Sequence, residues 1–241
     1  MIKRMTFKNL PRHVAVIPDG NRRWATARRR PPWQGHAAGA RTFERVAREA
    51  FALGIPYFTF WALSEDNFLT REKREVSFLM KIIAHNAKKL AMSSWVREQG
   101  VRVRILGRWR DLLREKEVRA LEKVEDATRS GTERTLTILI AYSGTTEMVQ
   151  AIRNIAELAR MSPDLEINGA LVKKAIYTAN LPPVDLVIRT GGEPHWSAGF
   201  MMWDTAASQF YFAKTLWPDF DAKEFHKALR DYSRRERRFG T

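Results

Sequence analysis

The sequence predicts an α/β fold built on an open, mainly parallel sheet of about six strands flanked by helices. Three observations carry this expectation. Six short apolar runs are mostly continuous rather than alternating, as strands buried on both faces must be. Segments with helical spacing separate them, giving the strand–helix alternation of a parallel sheet. No repeat, low-complexity linker or boundary divides the 241 residues, so a single domain over 1–241 is expected.

Taken in order, the first run, His13–Ile17, ends at Pro18 and opens into Asp19-Gly20-Asn21-Arg22-Arg23-Trp24. Phe43, Val46, Ala47, Ala50 and Phe51 then share one helical face, which Gly54 would stop. Tyr57–Leu63 is the second strand and leads into Ser64-Glu65-Asp66-Asn67-Phe68, with Arg71 and Glu75 beyond. Val76, Leu79, Met80, Ile83, Ala87 and Leu90 form a longer stripe. Val101–Leu106 and Leu136–Tyr142 follow as strands, and Met148, Ile152, Ile155 and Ala159 as the next helical face. Val184–Ile188 runs into Arg189-Thr190-Gly191-Gly192-Glu193, with His195 and Ser197 close behind, and Gln209–Phe212 is the last strand. Pro163 and Pro182-Pro183 punctuate loops.

Lys and Arg outnumber Asp and Glu by 42 to 27, a formal charge of +15, which favours polyanionic partners: nucleic acid, an anionic membrane surface or diphosphates. The runs Arg28-Arg29-Arg30 and Arg234-Arg235-Glu236-Arg237-Arg238 read by themselves as solvated charge. Without cysteine, disulfides and thiolate metal sites are excluded. No apolar run approaches the roughly 18 residues of a membrane span, and Met1–Phe7 lacks the features of a secretory signal, so a cytoplasmic protein is expected.

In such sheets ligands bind beyond the carboxyl ends of the strands. Gly20 would let a phosphate approach the backbone, and a helix starting there would aim free N–H groups at it. Asp19 offers a carboxylate to Mg²⁺, while Asn21 and Arg23 offer donors to phosphate oxygens. The segments after the second and fifth strands add hydroxyl, amide and guanidinium groups at the same edge, and arginine suits diphosphate because its planar fork donates two parallel bonds. Together they point to an anionic ligand, a diphosphate above all. Other phosphate and hydrolase signatures are missing: there is no Gly-x-x-x-x-Gly-Lys-Ser/Thr loop, Gly-x-Ser-x-Gly elbow, His-Glu-x-x-His helix or Asp-Asp-x-x-Asp sequence.

These segments, in this order, resemble the cis-prenyltransferases, the undecaprenyl diphosphate synthase family. His13 through Ala25 is similar to the family's first signature, and Gly35-His36-Ala37-Ala38-Gly39 follows at the expected distance. Ser64 through Arg71 with Glu75, Ala141-Tyr142-Ser143-Gly144 with Glu147, and Asp185 through Glu193 resemble further blocks. Trp217-Pro218-Asp219-Phe220 and Arg235 through Gly240 close the pattern. The resemblance implies a homodimeric fold with an elongated hydrophobic tunnel, and a reaction joining isopentenyl diphosphate to an allylic diphosphate with Mg²⁺. Asp19 is then the central metal and diphosphate residue, with Gly20, Asn21, Arg22, Arg23, Trp24 and His36 around the allylic diphosphate. Ser64 and Asn67 position the reacting ends, while Arg71, Arg189, His195 and Ser197 hold isopentenyl diphosphate. Gln209 stands where the family carries a second, metal-side carboxylate. The chain departs from the pattern there, at Pro32 and Thr145 in place of usual arginines, and in Pro194-His195-Trp196-Ser197, which carries one extra residue before Phe200. A regular chain-elongating synthase leads. An irregular or acceptor-modifying prenyl synthase follows, and a non-catalytic or nucleic-acid-binding protein stands behind both. A basic surface and a lipid-like product add peripheral membrane contact to the expectations.

Overall fold

The computed structural model describes residues 9–235. Six strands, β1 (His13–Ile17), β2 (Tyr57–Ser64), β3 (Val101–Leu106), β4 (Arg134–Tyr142), β5 (Leu186–Arg189) and β6 (Gln209–Phe212), form one sheet in the order β3-β4-β2-β1-β5-β6. Every neighbouring pair is parallel. The helices are α1 (Asn21–Ala27), α2 (Pro32–Ala52), α3 (Glu65–Thr70), α4 (Lys73–Ala91), α5 (Ser94–Glu98), α6 (Trp109–Leu112), α7 (Glu115–Ala127), α8 (Gly144–Met161), α9 (Gly169–Ala175) and α10 (Ala222–Arg234). The expected Arg-rich tail from residue 236 onward, most of the closing signature and the Met1–Phe7 segment lie outside the described residues.

Strand alternation divides the core. Val14 and Val16 of β1, Phe58 and Phe60 of β2 and Leu136, Ile138 and Ile140 of β4 pack with α2, α4, α5, α7 and α10 in the larger cluster. Ala15, Ile17, Trp61, Leu139 and Val187 turn to the opposite face, where Phe200 and Met201 cover them. Both faces are therefore dry, which is why the strands read as unbroken apolar runs. Each fully buried Phe contributes about 1.5–3 kcal/mol to this arrangement. Among the described residues, no helix is long and apolar enough to cross a membrane.

Several strand bounds differ from the sequence reading: β2 runs on to Ser64, β4 begins at Arg134 and β5 ends at Arg189. The fifth strand begins at Leu186 rather than Val184, because the Asp185 carboxylate turns to accept the N–H groups of Arg12 (2.8 Å) and His13 (3.1 Å). On α8 the buried face is Gly144, Glu147, Ala151 and Ile155, and Ile152 of the anticipated stripe is 61% exposed. Glu147 is buried because it accepts from the Tyr142 hydroxyl (2.6 Å) and from the Thr178 N–H (3.1 Å).

The strand order places the switch point at β1. The chain leaves β1 for β2 on one side and returns with β5 on the other, so a crevice opens beyond the carboxyl ends of β1 and β5.

Candidate active site

Asp19 follows β1 at this crevice and is held by its backbone. The Thr190 hydroxyl accepts the Asp19 N–H (2.9 Å) and donates to the Asp19 carbonyl (3.0 Å), which also accepts from the N–H of Trp217 (2.9 Å). Thr190 comes from the end of β5, so the adjacency of β1 and β5 is what builds the site. The carboxylate lies between two guanidinium groups. Arg23 Nη2 stands 3.3 Å from Oδ1 and Arg189 Nη2 3.3 Å from Oδ2. Arg189 is buried, donates also to Ser197 Oγ, and keeps its Nε without a partner. Ser197 Oγ in turn meets His195 Nε2 at 3.0 Å. Glu193 lies 3.8 Å from both Arg23 Nη1 and His195 Nδ1 and closes the chain of charges into a ring.

A second cluster gathers on Glu75. Its Oε1 accepts from Arg71 Nη1 (3.0 Å), with His36 Nε2 at 3.3 Å and Arg22 Nε at 4.0 Å. Burial holds the His36 imidazole below its ordinary value against the opposing pull of Glu75. Ser64 caps α3, its Oγ accepting the N–H of Asn67 (3.1 Å). The same helix is tied to the loop after β3 by Arg108 Nη1, which donates to buried Glu65 Oε1 (2.6 Å).

Gly20 and the two glycines of Gly35-His36-Ala37-Ala38-Gly39 serve packing. Gly20 has φ 102°, and a Cβ there would lie 2.6 Å from Leu216 Cδ2. At Gly35 a Cβ would lie 2.0 Å from the Asn21 carbonyl, and at Gly39 it would lie 2.3 Å from Asn21 Oδ1. The motif thus lets α2 pass close under the start of α1 and sets the position of Asn21.

One cavity of about 670 Å³ connects these groups. Asp19, Asn21, His36, Ser64, Asn67, Arg71, Arg189, His195 and Ser197 line its polar end, and Arg22 and Arg23 reach it through Glu75 and Asp19. Its other end is apolar, lined by Phe43 of α2, Phe60 of β2, Ile83 and Leu90 of α4, Ile105 of β3 and Leu121 of α7.

Besides Arg22 and Arg23, three expected site residues do not line it: Trp24, Gln209 and Gly20, which packs against Leu216. Trp24 is buried with Ala25 and Ala38 and donates its indole N–H to Asp219 Oδ1 (2.6 Å), with Arg28 stacked on the ring. Its place is structural, since its polar edge and its face are both occupied within the protein. Gln209 pairs with Leu186 at the amino end of β6, whereas Arg189 pairs with Phe212. It therefore sits three residues, about 10 Å, back from the strand ends that carry the site. It is not a partner of Asp19 within this chain. Residues absent from the expected set also take part: Asp66 and Trp196 at the cavity, and Glu75, Thr190 and Arg108 behind it. The signal in the sequence that pointed to Glu75 is its place, with Ser64 through Arg71, in a block that resembles the family.

Comparison with known proteins agrees with this geometry. Residues 17–240 match the family described as "Putative undecaprenyl diphosphate synthase". A tritrans,polycis-undecaprenyl-diphosphate synthase (geranylgeranyl-diphosphate specific) of Pyrococcus horikoshii is 38% identical over 242 residues, covering 100% of this chain and 90% of its own. An isoprenyl transferase of Thermus thermophilus is 39% identical over 237 residues, covering 96% of this chain and 89% of its own. The crystal structure of lavandulyl diphosphate synthase from Lavandula x intermedia, in complex with dimethylallyl diphosphate, is similar with a TM-score of 0.88 at 32% identity. That likeness covers 96% of this chain and 99% of the other. With its site at the β1/β5 switch point and relatives matching over nearly its whole length, the chain belongs to the undecaprenyl diphosphate synthase family and is a prenyltransferase.

Proposed function

We propose that the chain condenses isopentenyl diphosphate with an allylic diphosphate in the presence of Mg²⁺, lengthening a Z-polyprenyl diphosphate. The observation that carries this reading is the continuity of the cavity: a cationic head passes without a break into an apolar barrel. A prenyl diphosphate has the same two halves in the same order.

The donor set fits Mg²⁺. Asp19 is one carboxylate beside arginines that attract phosphate, and Mg²⁺ is commonly bound by one or two carboxylates with substrate phosphates and water. No group of three or more His, Cys, Asp or Glu able to hold a metal occurs among the described residues. When bound, Mg²⁺ would neutralise diphosphate charge beside Asp19. The protein's own residues do the rest. Arg23, Asn21 and the free N–H groups at the start of α1 receive the allylic diphosphate, with Arg22 and His36 beside them. Arg189, Ser197 and His195 receive the second diphosphate together with Arg71, and the turn capped by Ser64 brings Asn67 to the reacting ends.

The allylic C–O bond breaks with its electron pair leaving on pyrophosphate, and the π bond of isopentenyl diphosphate forms the new C–C bond. A proton then passes to the departed pyrophosphate, leaving a new double bond, and the product keeps the second substrate's diphosphate. Fixed donors around the leaving group lower the barrier because they need no reorganisation as charge develops.

Two further parts belong to the proposal. The outer face of α8 leaves Val149 and Ile152 exposed, which supports a homodimer. A cytoplasmic protein with peripheral contact to anionic lipid belongs to the reading, and the net charge of +15 supports the lipid contact. A second reading, a short-chain or branched condensation, is favoured by His195 in the segment that departs from the family pattern, and by the likeness to lavandulyl diphosphate synthase.

The test is product analysis. Purified protein receives labelled isopentenyl diphosphate, an allylic starter and Mg²⁺, and the products are resolved by chromatography. Long Z-polyprenyl chains support the first reading and short or branched products the second. No turnover, with salt-sensitive retention of DNA or RNA, refutes both.

A further inference from the structure

α3 carries cavity-lining groups but is too short to hold them by itself. Ser64, which caps it, and Asp66 and Asn67 in its first turn all line the cavity. The helix has six residues, and isolated helices shorter than about 12 residues are marginal in water. Its place therefore comes from neighbouring elements. Phe68 rests on Leu63, Leu79 and Met80. The other anchor is Glu65, which is buried outside the cavity lining. Its Oε1 accepts from Arg108 Nη1 at 2.6 Å, and its Oε2 is buried without a hydrogen-bond partner.

Arg108 springs from a fixed corner. Gly107 before it has φ 115°, and a Cβ there would lie 2.3 Å from the Ile140 carbonyl oxygen, so the turn packs directly on β4. The Arg108 N–H donates to the Ala141 carbonyl (3.1 Å). Trp109 after it is buried and donates its indole N–H to the Ile105 carbonyl of β3 (3.0 Å). From this corner the guanidinium reaches the start of α3, with its side chain 37% exposed. Removing it would leave Glu65 as a buried, unpaired charge, which costs far more than replacing both partners by apolar groups. A six-residue helix would shift to bring that charge to water, and Asn67, two residues on, would shift with it.

We infer that Glu65 and Arg108 are positioning residues for the condensation: their pair fixes the first turn of α3 so that Asn67 meets the reacting ends. This rests on the function proposed above. The diphosphates are held on other anchors, namely α1, the end of β5 and Arg71 with its partner Glu75 on α4. The pair therefore acts on the chemical step and leaves the affinity for either diphosphate nearly unchanged.

Single-turnover kinetics of the first condensation, at pH 8 with Mg²⁺ and both diphosphates saturating, isolate that step from product release. Each substrate is also titrated, and circular dichroism checks the fold of every variant. Arg108→Ala should slow the step about 100-fold, the cost of roughly 1 Å at a reacting group, with half-saturation for each diphosphate within about threefold of wild type. Guanidinium chloride, added well below denaturing concentrations, can enter the exposed space left by the side chain. It should restore Arg108→Ala about tenfold and leave Glu65→Ala and wild type unmoved. Adding Glu65→Ala to Arg108→Ala should raise the rate about tenfold, because the stranded charge is gone. Arg108→Lys, which keeps the charge without the planar fork, should lie between wild type and Arg108→Ala.

A wild-type rate in Arg108→Ala overturns the inference. So does a loss confined to substrate affinity, a loss that guanidinium does not relieve, or a double variant slower than Arg108→Ala. If Arg108→Ala does not fold, the double variant decides: it should run about tenfold below wild type with unchanged affinities, and a wild-type rate overturns the inference. No condensation by wild type would instead remove the proposed function itself.

Discussion

One added methyl group tests how α2 positions the diphosphate end of the cavity. In Gly39→Ala the new Cβ would lie 2.3 Å from Asn21 Oδ1 and 2.9 Å from Trp217 Cδ1, both closer than real contacts allow. Trp217 is fully buried and donates its indole N–H to the Gly39 carbonyl (2.9 Å), so it cannot retreat. Asn21 must yield, by roughly 1 Å. Overpacking of this kind costs about 1–3 kcal/mol. At about 2–4 °C per kcal/mol for a chain of this size, the melting temperature should fall by about 2–12 °C. A donor displaced by 1 Å at the leaving group should lower turnover about 100-fold. Asn21→Ala alone should lose similar activity without the stability cost, and the double variant should recover most of the melting temperature with no further loss of turnover. Gly169→Ala is the control. Its Cβ would meet only Trp203 Cζ2 at 3.7 Å, and it opens α9, so the same methyl group should leave stability unchanged or raise it by up to ~1 kcal/mol. Thermal unfolding and condensation kinetics on the four variants decide the matter. Additive losses in the double variant, or a Gly39→Ala protein with wild-type stability, would refute the steric reasoning.

Other residues give independent expectations. Asp19→Asn should lower turnover about 100- to 1,000-fold at saturating substrates while keeping the fold, and it is a cleaner probe than Asp19→Ala, which would strand the buried Arg189 guanidinium; near-normal turnover would remove Asp19 from the mechanism. Burial lowers the pKa of His13 to about 4, with Nδ1 donating to the Pro182 carbonyl and Nε2 facing Thr59 Oγ1. Since the folded value lies below the unfolded 6.5, this stability is complete above about pH 6.5 and is lost as pH falls toward 4. Urea unfolding at pH 7.5 and 5.0 should therefore show about 2 kcal/mol more acid loss in wild type than in His13→Gln, and equal losses would contradict it. Ile152→Glu places a charge on the exposed face of α8 and should convert the proposed dimer to monomer in light scattering, whereas an unchanged mass would move the interface elsewhere.

The strands were legible because a parallel sheet covered on both faces leaves one kind of record: short unbroken apolar runs. Val14 and Ala15 face opposite sides of the sheet, yet both are fully buried. The residues of the site were legible for a different reason. Asp19 follows a strand, Ser64 and Arg189 each end one, and a parallel sheet brings all such positions to one edge whatever the strand order. What could not be read is which of them touch. The Thr190–Asp19 hydrogen bonds depend on β5 lying beside β1, a pairing that no local pattern encodes.

The misplaced residues follow the same logic. Gln209 was placed beside the metal by the resemblance alone, and the register of β6 puts it at the amino end of its strand. Trp24 follows four residues of the diphosphate segment, yet one helical turn carries it under α1, to Asp219. On α8, Met148-Ile152-Ile155-Ala159 and Gly144-Glu147-Ala151-Ile155 have equally helical spacing. The second is buried because Tyr142 and Thr178 supply the hydrogen bonds that a buried carboxylate requires. Periodicity scores a glutamate as solvent-facing and an isoleucine as core, so it chose the wrong stripe, and only the partner residues reverse the choice. That reversal has a functional reading. A helix that turns Glu147 inward and leaves Val149 and Ile152 outward is incomplete as a lone surface, and the proposed second copy of the chain would complete it.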